Sequence, residues 1–556
     1  MFSIRRLSYL FSMLIAVHSG SALARQAAVA MPDAYSAEAA AAVLASGGNA
    51  VDAAITAAFV LAVTYPEAGN IGGGGFMTSV MAGDAAFLDF REQAPGQSHR
   101  DMYLDDEGRF VQRLALVGAK ASGVPGTVRG MKMAFDRYAT RPWAELLAPA
   151  ITLAQEGFKP SAGLVEMAID KVSSDAGDTN FAAHFGAMRE GTPFAQPQLA
   201  ETLRRIAQDP EDFYRGKTAG LIVKQMQANG GLINAQDLAD YRAQWREPIT
   251  HPWRGMEIVA APPPSSGGFA LVQLLEMRDL SEAHFKSLAH NSARYIHLLA
   301  ELEKRVFADR AAYLGDPDFV DNPIEALLAP AYLAMRADAV TPTAISAPES
   351  VPAGLESPDT THFSILDGMG NAVALTYTLN WEFGSGVVIE DAGFLMNNEM
   401  DDFSAKPGAV NAFGAVGNER NAIAPGKRML SSMSPTILTR DGEPAVVVGT
   451  PGGTTILTTV FQVLLNLFDF DMAPEDAVNA TRFHHQLPQA YLLRHDNRAI
   501  DKNTRSALEA MGYRVEANSW GDLGDAQLIV VSPTGVEAAA DGRGRGEARV
   551  FEAASD

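Results

Sequence analysis

A mixed α+β fold is the architecture this sequence predicts. Three observations carry it. Alanine- and leucine-rich stretches with helix-starting residues fill much of the first 330 positions. Residues 360–380, TTHFSILDGMGNAVALTYTLN, read as two strand-like runs around a turn. Hydrophobic residues make up 47% of the 556 positions, enough for a large buried core in a chain longer than one ordinary domain.

In chain order, Arg5 and Arg6, the short apolar run Leu7 to Val17 and the small-x-small triplet Ala22-Leu23-Ala24 have the order of a secretory signal peptide, with removal expected after Ala24. The run is too short for the ~20 apolar residues of a membrane span. Ala53–Val63 and Ile456–Phe468 are also too short and read as core helices. Ser36 with Glu38 predicts a capped helix, and Gly47-Gly48-Asn49 stops it and starts a second one from Val51 to about Thr64. Four consecutive glycines, Gly72 to Gly75, signal backbone in close approach to a strand or a ligand. Ala85 to Phe90 is a strand candidate ending at Arg91. Residues 142–243 are largely helical, the proline run at Pro262–Pro264 is a rigid loop, and helices resume from Phe269 to Leu328. Pro342, Pro348, Pro352 and Pro358, spaced by small and polar residues, mark a linker over 341–358.

The formal net charge of −22 argues against a nucleic-acid-binding role, which needs a basic surface for phosphates. The absence of cysteine excludes disulfides, thiolate metal sites and a cysteine nucleophile. The glycine run lacks the lysine and following Ser/Thr of a phosphate loop. Adjacent His484 and His485 on a strand point to opposite faces and are read as structural polar contacts. Nothing else points to a metal or an organic cofactor.

With Met369 at the centre of the turn, Thr378 lies opposite Thr360, with Cβ atoms roughly 5 Å apart. Asn380, two residues on, is expected on the same face. By itself this pattern also fits an ordinary half-buried hairpin, where threonine is common for its β-propensity. A threonine hydroxyl is a poor nucleophile without a base, and a free α-amine on the same residue, with a pKa near ~8, is such a base. A threonine that opens a strand straight after a proline-rich linker can acquire that amine by chain cleavage.

The segment resembles the start of the small subunit of γ-glutamyltranspeptidases, in the N-terminal-nucleophile hydrolase superfamily. The similarity also takes in Gly48–Ala54, the glycine run, Phe90-Arg91-Glu92, Gly123–Gly126, Thr360–Ser364, Asn397–Phe403, Leu430–Thr436 and Gly452-Gly453. The resemblance implies a four-layer αββα sandwich shared by two subunits: a large one over 25–359 and a small one over 360–556, a heterodimer made by self-cleavage between Asp359 and Thr360. It also implies a secreted, periplasmic enzyme that takes γ-glutamyl groups from compounds such as glutathione and passes them to water or to amino-acid or dipeptide acceptors.

Under that resemblance Thr360 is the nucleophile, oriented by Thr378, and the N–H groups of Gly452 and Gly453 form the oxyanion hole. Arg91, helped by Ser431 and Ser432, binds the α-carboxylate. Glu399 and Asp402, assisted by Asn380, hold the α-ammonium. Pro407 to Gly414 matches a lid, with Phe413 where bacterial lids often carry tyrosine, and Trp381 is expected to narrow the acceptor side. Two other readings are a glutaryl-type β-lactam acylase on the same scaffold and a non-catalytic binding paralogue. The first has no ammonium to bind, and the second is expected to have lost the nucleophile or the oxyanion residues.

Overall fold

The alanine-rich start of the chain folds as two helices because each has a side-chain cap. Asp33 caps Ala34–Ala45 by accepting from the Ser36 N–H, and the Ser36 hydroxyl bonds back to Asp33. The cap expected of Ser36 therefore belongs to Asp33, three residues earlier, where an extended residue can present its carboxylate to the first turn. Asn49 and Asp52 form a reciprocal capping box for Ala50–Thr64. That second helix is buried on every side, which explains why it is apolar all round.

The computed structural model describes residues 26–174, 178–347, 360–406, 418–498, 500–518 and 521–553. The signal segment, the linker from Pro348 to Pro358, Asp359 and the lid candidate Pro407–Gly414 lie outside the described residues. None of the described helices is long and apolar enough to cross a membrane.

The strands in chain order are β1 (Gln26–Met31), β2 (Gly74–Met81), β3 (Asp84–Asp89), β4 (Gln244–Arg246), β5 (Ile249–Trp253), β6 (Met256–Ala260), β7 (Thr361–Leu366), β8 (Ala372–Thr378), β9 (Thr436–Arg440), β10 (Glu443–Gly449), β11 (Phe483–His484), β12 (Leu492–His495), β13 (Arg514–Ala517), β14 (Gln527–Ser532), β15 (Gly535–Ala540) and β16 (Glu547–Glu552). One sheet runs β16-β1-β7-β8-β2-β3-β4, a second runs β15-β14-β10-β9-β6-β5, and β11 to β13 form a small third sheet.

Alternation along these strands builds the layers. Leu366, Ala372, Ala374, Ile437, Val447 and Ile529 meet between the two large sheets. Phe363, Ile365, Val373, Leu375 and Tyr377 face the other way and pack with the helix Ala50–Thr64. On the far side Ile258, Leu438, Val446, Val448 and Leu528 pack with the helices Gly267–Leu280, Ala293–Tyr313 and Thr455–Phe470. Helices therefore cover both outer faces of a two-sheet sandwich, as expected.

The register of β7 and β8 is set at the turn. Asp367 Oδ1 accepts from the N–H groups of Met369 and Asn371 at 2.8 and 2.9 Å, and Gly370 takes a φ of 87°. The other carboxylate oxygen accepts from Ala50 N–H at 3.0 Å, tying the turn to the buried helix. The resulting pairs run from Leu366 opposite Ala372 to Thr361 opposite Tyr377. The glycine run is also explained by strand contact. A Cβ on Gly73 would lie 2.1 Å from the Thr378 carbonyl oxygen, and one on Gly75 would lie 2.4 Å from that of Thr376.

Gly75→Ala is accordingly expected to abolish soluble expression. Gly163→Ala, in the helix Ala162–Ser174 with open space at its Cβ position, should stabilise by about 0.5–1 kcal/mol, read as a raised Tm. Burial also pushes His362 and His484 down to about 3 and His485 to about 4. These rings stay neutral when folded but take a proton near 6.5 when unfolded. Their contribution is full above pH 6.5 and is lost as pH falls towards 4, by about 1.4 kcal/mol per pH unit for each ring. Thermal melts across that range should show the decline, and it should be shallower in a His484→Gln variant.

Candidate active site

The hairpin register carries on by one residue to set Thr360 opposite Thr378. Both are buried, at the end of the inter-sheet layer. The Thr378 hydroxyl accepts from Asn380 N–H at 2.8 Å. Asn380 does not continue the strand alternation expected of it. The strand ends at Thr378, and Asn380 turns the chain with a φ of 81°, a conformation that asparagine tolerates better than most residues. Its side chain instead donates to the Asn398 carbonyl at 3.0 Å, beside Glu399. Trp381 N–H donates to Asn398 Oδ1 at 3.1 Å, and the Trp381 ring lines a cavity of about 320 Å³ with Leu116, Val117, Lys171 and Glu382.

Arg91 follows β3 and is fully buried. Its guanidinium bonds Glu399 through Nη1 and Asp402 through Nη2, the latter at 2.5 Å. Its Nε reaches the Met429 carbonyl at 3.3 Å, next to the Leu430–Ser432 segment. Ser431 is held against the proline loop: its N–H donates to the Pro264 carbonyl at 2.8 Å, and its carbonyl accepts from Ser266 N–H at 2.7 Å. The groups expected to bind opposite charges on a ligand are thus paired with each other.

That pairing leaves acceptors over. Glu399 Oε2 and Asp402 Oδ1 are buried and have no hydrogen-bond partner among the described residues. Burial pushes both carboxyls above the usual range, against the pull of Arg91. Buried acceptors without donors are rare in folded proteins and call for a missing partner.

Two charged neighbours were not singled out from the sequence. Glu92 is fully buried with an oxygen 3.8 Å from Arg91 Nη1, and burial pushes its carboxyl well above the usual carboxylate range against the pull of that guanidinium. Arg310 donates from Nε to Ser266 Oγ at 2.8 Å and feels both Asp402 and Arg91. Glu92 was visible only as part of a motif. Arg310 sits in the helix Ala293–Tyr313, where Glu301, Glu303, Lys304 and Arg305 are buried too, and a charged residue in a helical run carries no local signal that it is buried.

Gly452 and Gly453 lie between β10 and the helix Thr455–Phe470, with φ values of 127° and 58°. Such angles favour glycine. Their carbonyls accept from Thr455 and Ile456 N–H at 3.0 Å each, while neither glycine N–H donates to a described residue. Two N–H groups at a helix N-terminus with no acceptor among the described residues suit a developing negative charge. The histidine pair makes internal contacts: His484 Nδ1 with Thr458 Oγ1 at 3.0 Å, and His485 Nδ1 with the Leu492 carbonyl at 2.8 Å.

Comparison with known proteins places the chain as a whole. A family model described as Gamma-glutamyltranspeptidase matches residues 36–551. The glutathione hydrolase proenzyme of Pseudomonas aeruginosa is 57% identical over 537 residues, 96% of this chain and 96% of its own. The protein of the same name from Escherichia coli is 42% identical over 92% of this chain and 89% of its own. Among solved structures, γ-glutamyltranspeptidase from Pseudomonas nitroreducens complexed with L-DON is 53% identical and covers 58% of this chain and 96% of its own, with a TM-score of 0.57. Cephalosporin acylase from Bacillus halodurans superposes over 99% of both chains at 27% identity, with a TM-score of 0.82. On the whole-chain family match and the 57% identical relative, the chain belongs to the γ-glutamyltranspeptidase family.

Proposed function

We propose that this chain is a glutathione hydrolase and γ-glutamyltransferase that matures by cutting itself between Asp359 and Thr360. The observation that carries the substrate reading is the buried Arg91–Glu399–Asp402 cluster, with its two donorless carboxylate oxygens. A γ-glutamyl head brings one carboxylate and one ammonium. The carboxylate takes the guanidinium, with Ser431 and Ser432 alongside, and the ammonium supplies the donors that Glu399 and Asp402 lack. The exchange replaces one set of buried ion pairs by another, so no charge is left unpaired.

In maturation the Thr360 hydroxyl attacks the Asp359 carbonyl carbon. The peptide C–N bond breaks as the ester C–O bond forms, and water then hydrolyses the ester, leaving Thr360 with a free α-amine. In turnover that amine takes the hydroxyl proton as Oγ attacks the γ-carbonyl. The Gly452 and Gly453 N–H groups stabilise the oxyanion, and the proton passes to the departing amine. The γ-glutamyl ester on Thr360 is then cleaved by water or by the amine of an acceptor amino acid or peptide. The leader ending at Ala24 supports export to the periplasm.

Three measurements check this reading. Mass spectrometry of purified protein should give two chains, the smaller beginning at Thr360, and a single chain for Thr360→Ala; a wild-type chain that stays whole yet hydrolyses γ-glutamyl anilide removes the mechanism. Glutaryl-p-nitroanilide, which lacks the ammonium, should react with a kcat/KM roughly 100-fold or more below that of γ-glutamyl-p-nitroanilide. Arg91→Lys should raise KM for the glutamyl compound roughly 10- to 100-fold, because the two-pronged contact is lost. A cleaved enzyme that prefers the glutaryl compound is instead an acylase.

A further inference from the structure

Thr360, His362 and Ser364 share the inner face of the β7 segment, and Thr376 and Thr378 share that of β8. Most of the inter-sheet layer is aliphatic. His362 interrupts it one row below the Thr360–Thr378 pair, fully buried. Its Nδ1 is 2.8 Å from Thr376 Oγ1 and its Nε2 is 3.1 Å from Ser364 Oγ. The Ser364 hydroxyl donates to the Gln527 carbonyl at 3.1 Å. That donation fixes the direction of the chain: Nε2–H donates to Ser364 Oγ, and Nδ1 accepts from the Thr376 hydroxyl. One neutral tautomer satisfies every member, and burial keeps the ring neutral.

The ring also touches the other sheet. A Cβ on Gly449 would lie 2.3 Å from His362 Cε1, 2.5 Å from Nδ1 and 2.7 Å from Nε2, so the imidazole lies flat against that glycine's backbone. Gly449 ends β10, pairs with Gln527 on β14, and leads through Thr450 and Pro451 into Gly452 and Gly453. The two parts of the site thus lie on different sheets, and His362 bridges them. It is hydrogen-bonded in its plane to the nucleophile hairpin and packed by its face on the strand that delivers the oxyanion donors.

We propose that His362 is a positioning residue, a neutral imidazole spacer that sets the separation between Thr360 and the Gly452–Gly453 donors. This rests on the reading of Thr360 as nucleophile and of the two glycines as oxyanion donors. A spacer error of a few tenths of an ångström moves the donors off the tetrahedral oxygen but leaves the Arg91 pocket in place. Its signature is therefore a fall in kcat with KM kept, and a methyl added at Gly449 should act through the ring.

The test uses mature enzyme, γ-glutamyl-p-nitroanilide hydrolysis and thermal melts for wild type, His362→Ala, His362→Asn, Gly449→Ala and the His362→Ala/Gly449→Ala double variant. Gly449→Ala should lower kcat roughly 100-fold, the scale of losing one oxyanion donor, with KM within about threefold of wild type. The double variant should recover about tenfold of that loss, because the ring struck by the methyl is gone. His362→Ala and His362→Asn should each lose about tenfold in kcat or more at unchanged KM. The proposal is overturned by wild-type kcat in the His362 variants, by a loss confined to KM, or by a double variant no better than Gly449→Ala. Should His362→Ala not fold, the His362→Asn kinetics decide by the same criteria, with His362→Asn/Gly449→Ala as the double variant. A cleaved wild type inactive on the anilide overturns the functional reading itself, whatever the variants do.

Discussion

The pairing register of the hairpin from Thr361 to Thr378 is the constraint on which the site depends. Side chains alternate along a strand, so a slip of one residue would turn Thr360, His362 and Ser364 out of the inter-sheet layer and bring Phe363 and Ile365 in. Asp367 prevents the slip with bonds to Met369, Asn371 and the start of the helix Ala50–Thr64. The turn is thus anchored to a helix that is buried along its whole length, and it sets the register of the hydroxyls at the far end of the hairpin. Close approach by β2 fixes the second strand further, since Gly73 and Gly75 have no room for a side chain against the carbonyls of Thr378 and Thr376.

A second constraint comes from burying charge. Arg91, Glu399 and Asp402 are out of water, and removing one partner of such a group leaves the others uncompensated at a cost of about 3–5 kcal/mol. The protein tolerates this because the charges close on each other, Arg91 bonding both Glu399 and Asp402. Even so, Glu399 Oε2 and Asp402 Oδ1 lack donors among the described residues, and the proposed zwitterionic head is the ligand that would supply them. On the proposed reading, selectivity for a glutamyl head over a plain diacid would follow from those two oxygens.

Much of this was legible in the sequence because the signals were local. The Asp-Gly-Met-Gly-Asn turn and strict alternation define the hairpin, and the glycine run marked close backbone approach to a strand or a ligand, of which Gly73 and Gly75 show the strand. Local rules failed where backbone geometry changed without a matching residue signal. Asn380 leaves the strand through a left-handed turn, so its side chain is placed by Asn398 rather than by alternation. Asp33 rather than Ser36 caps the first helix because both were plausible caps three residues apart. Arg310 and Glu92 were missed because nothing in a charged helix, or in one residue of a motif, shows that the charge is buried among others. The two-sheet sandwich was drawn from family resemblance, since pairing between distant strands has no local signature.

The most direct test of the account is to trap the acyl-enzyme. Mature enzyme mixed with a γ-glutamyl donor, quenched in acid within milliseconds and digested, should carry one γ-glutamyl group on the peptide that begins at Thr360, attached through an ester lost at alkaline pH. An adduct on any other residue, or steady-state turnover with no adduct on that peptide in Arg91-intact enzyme even when deacylation is slowed at low temperature, would contradict the central claim that Thr360 is the nucleophile.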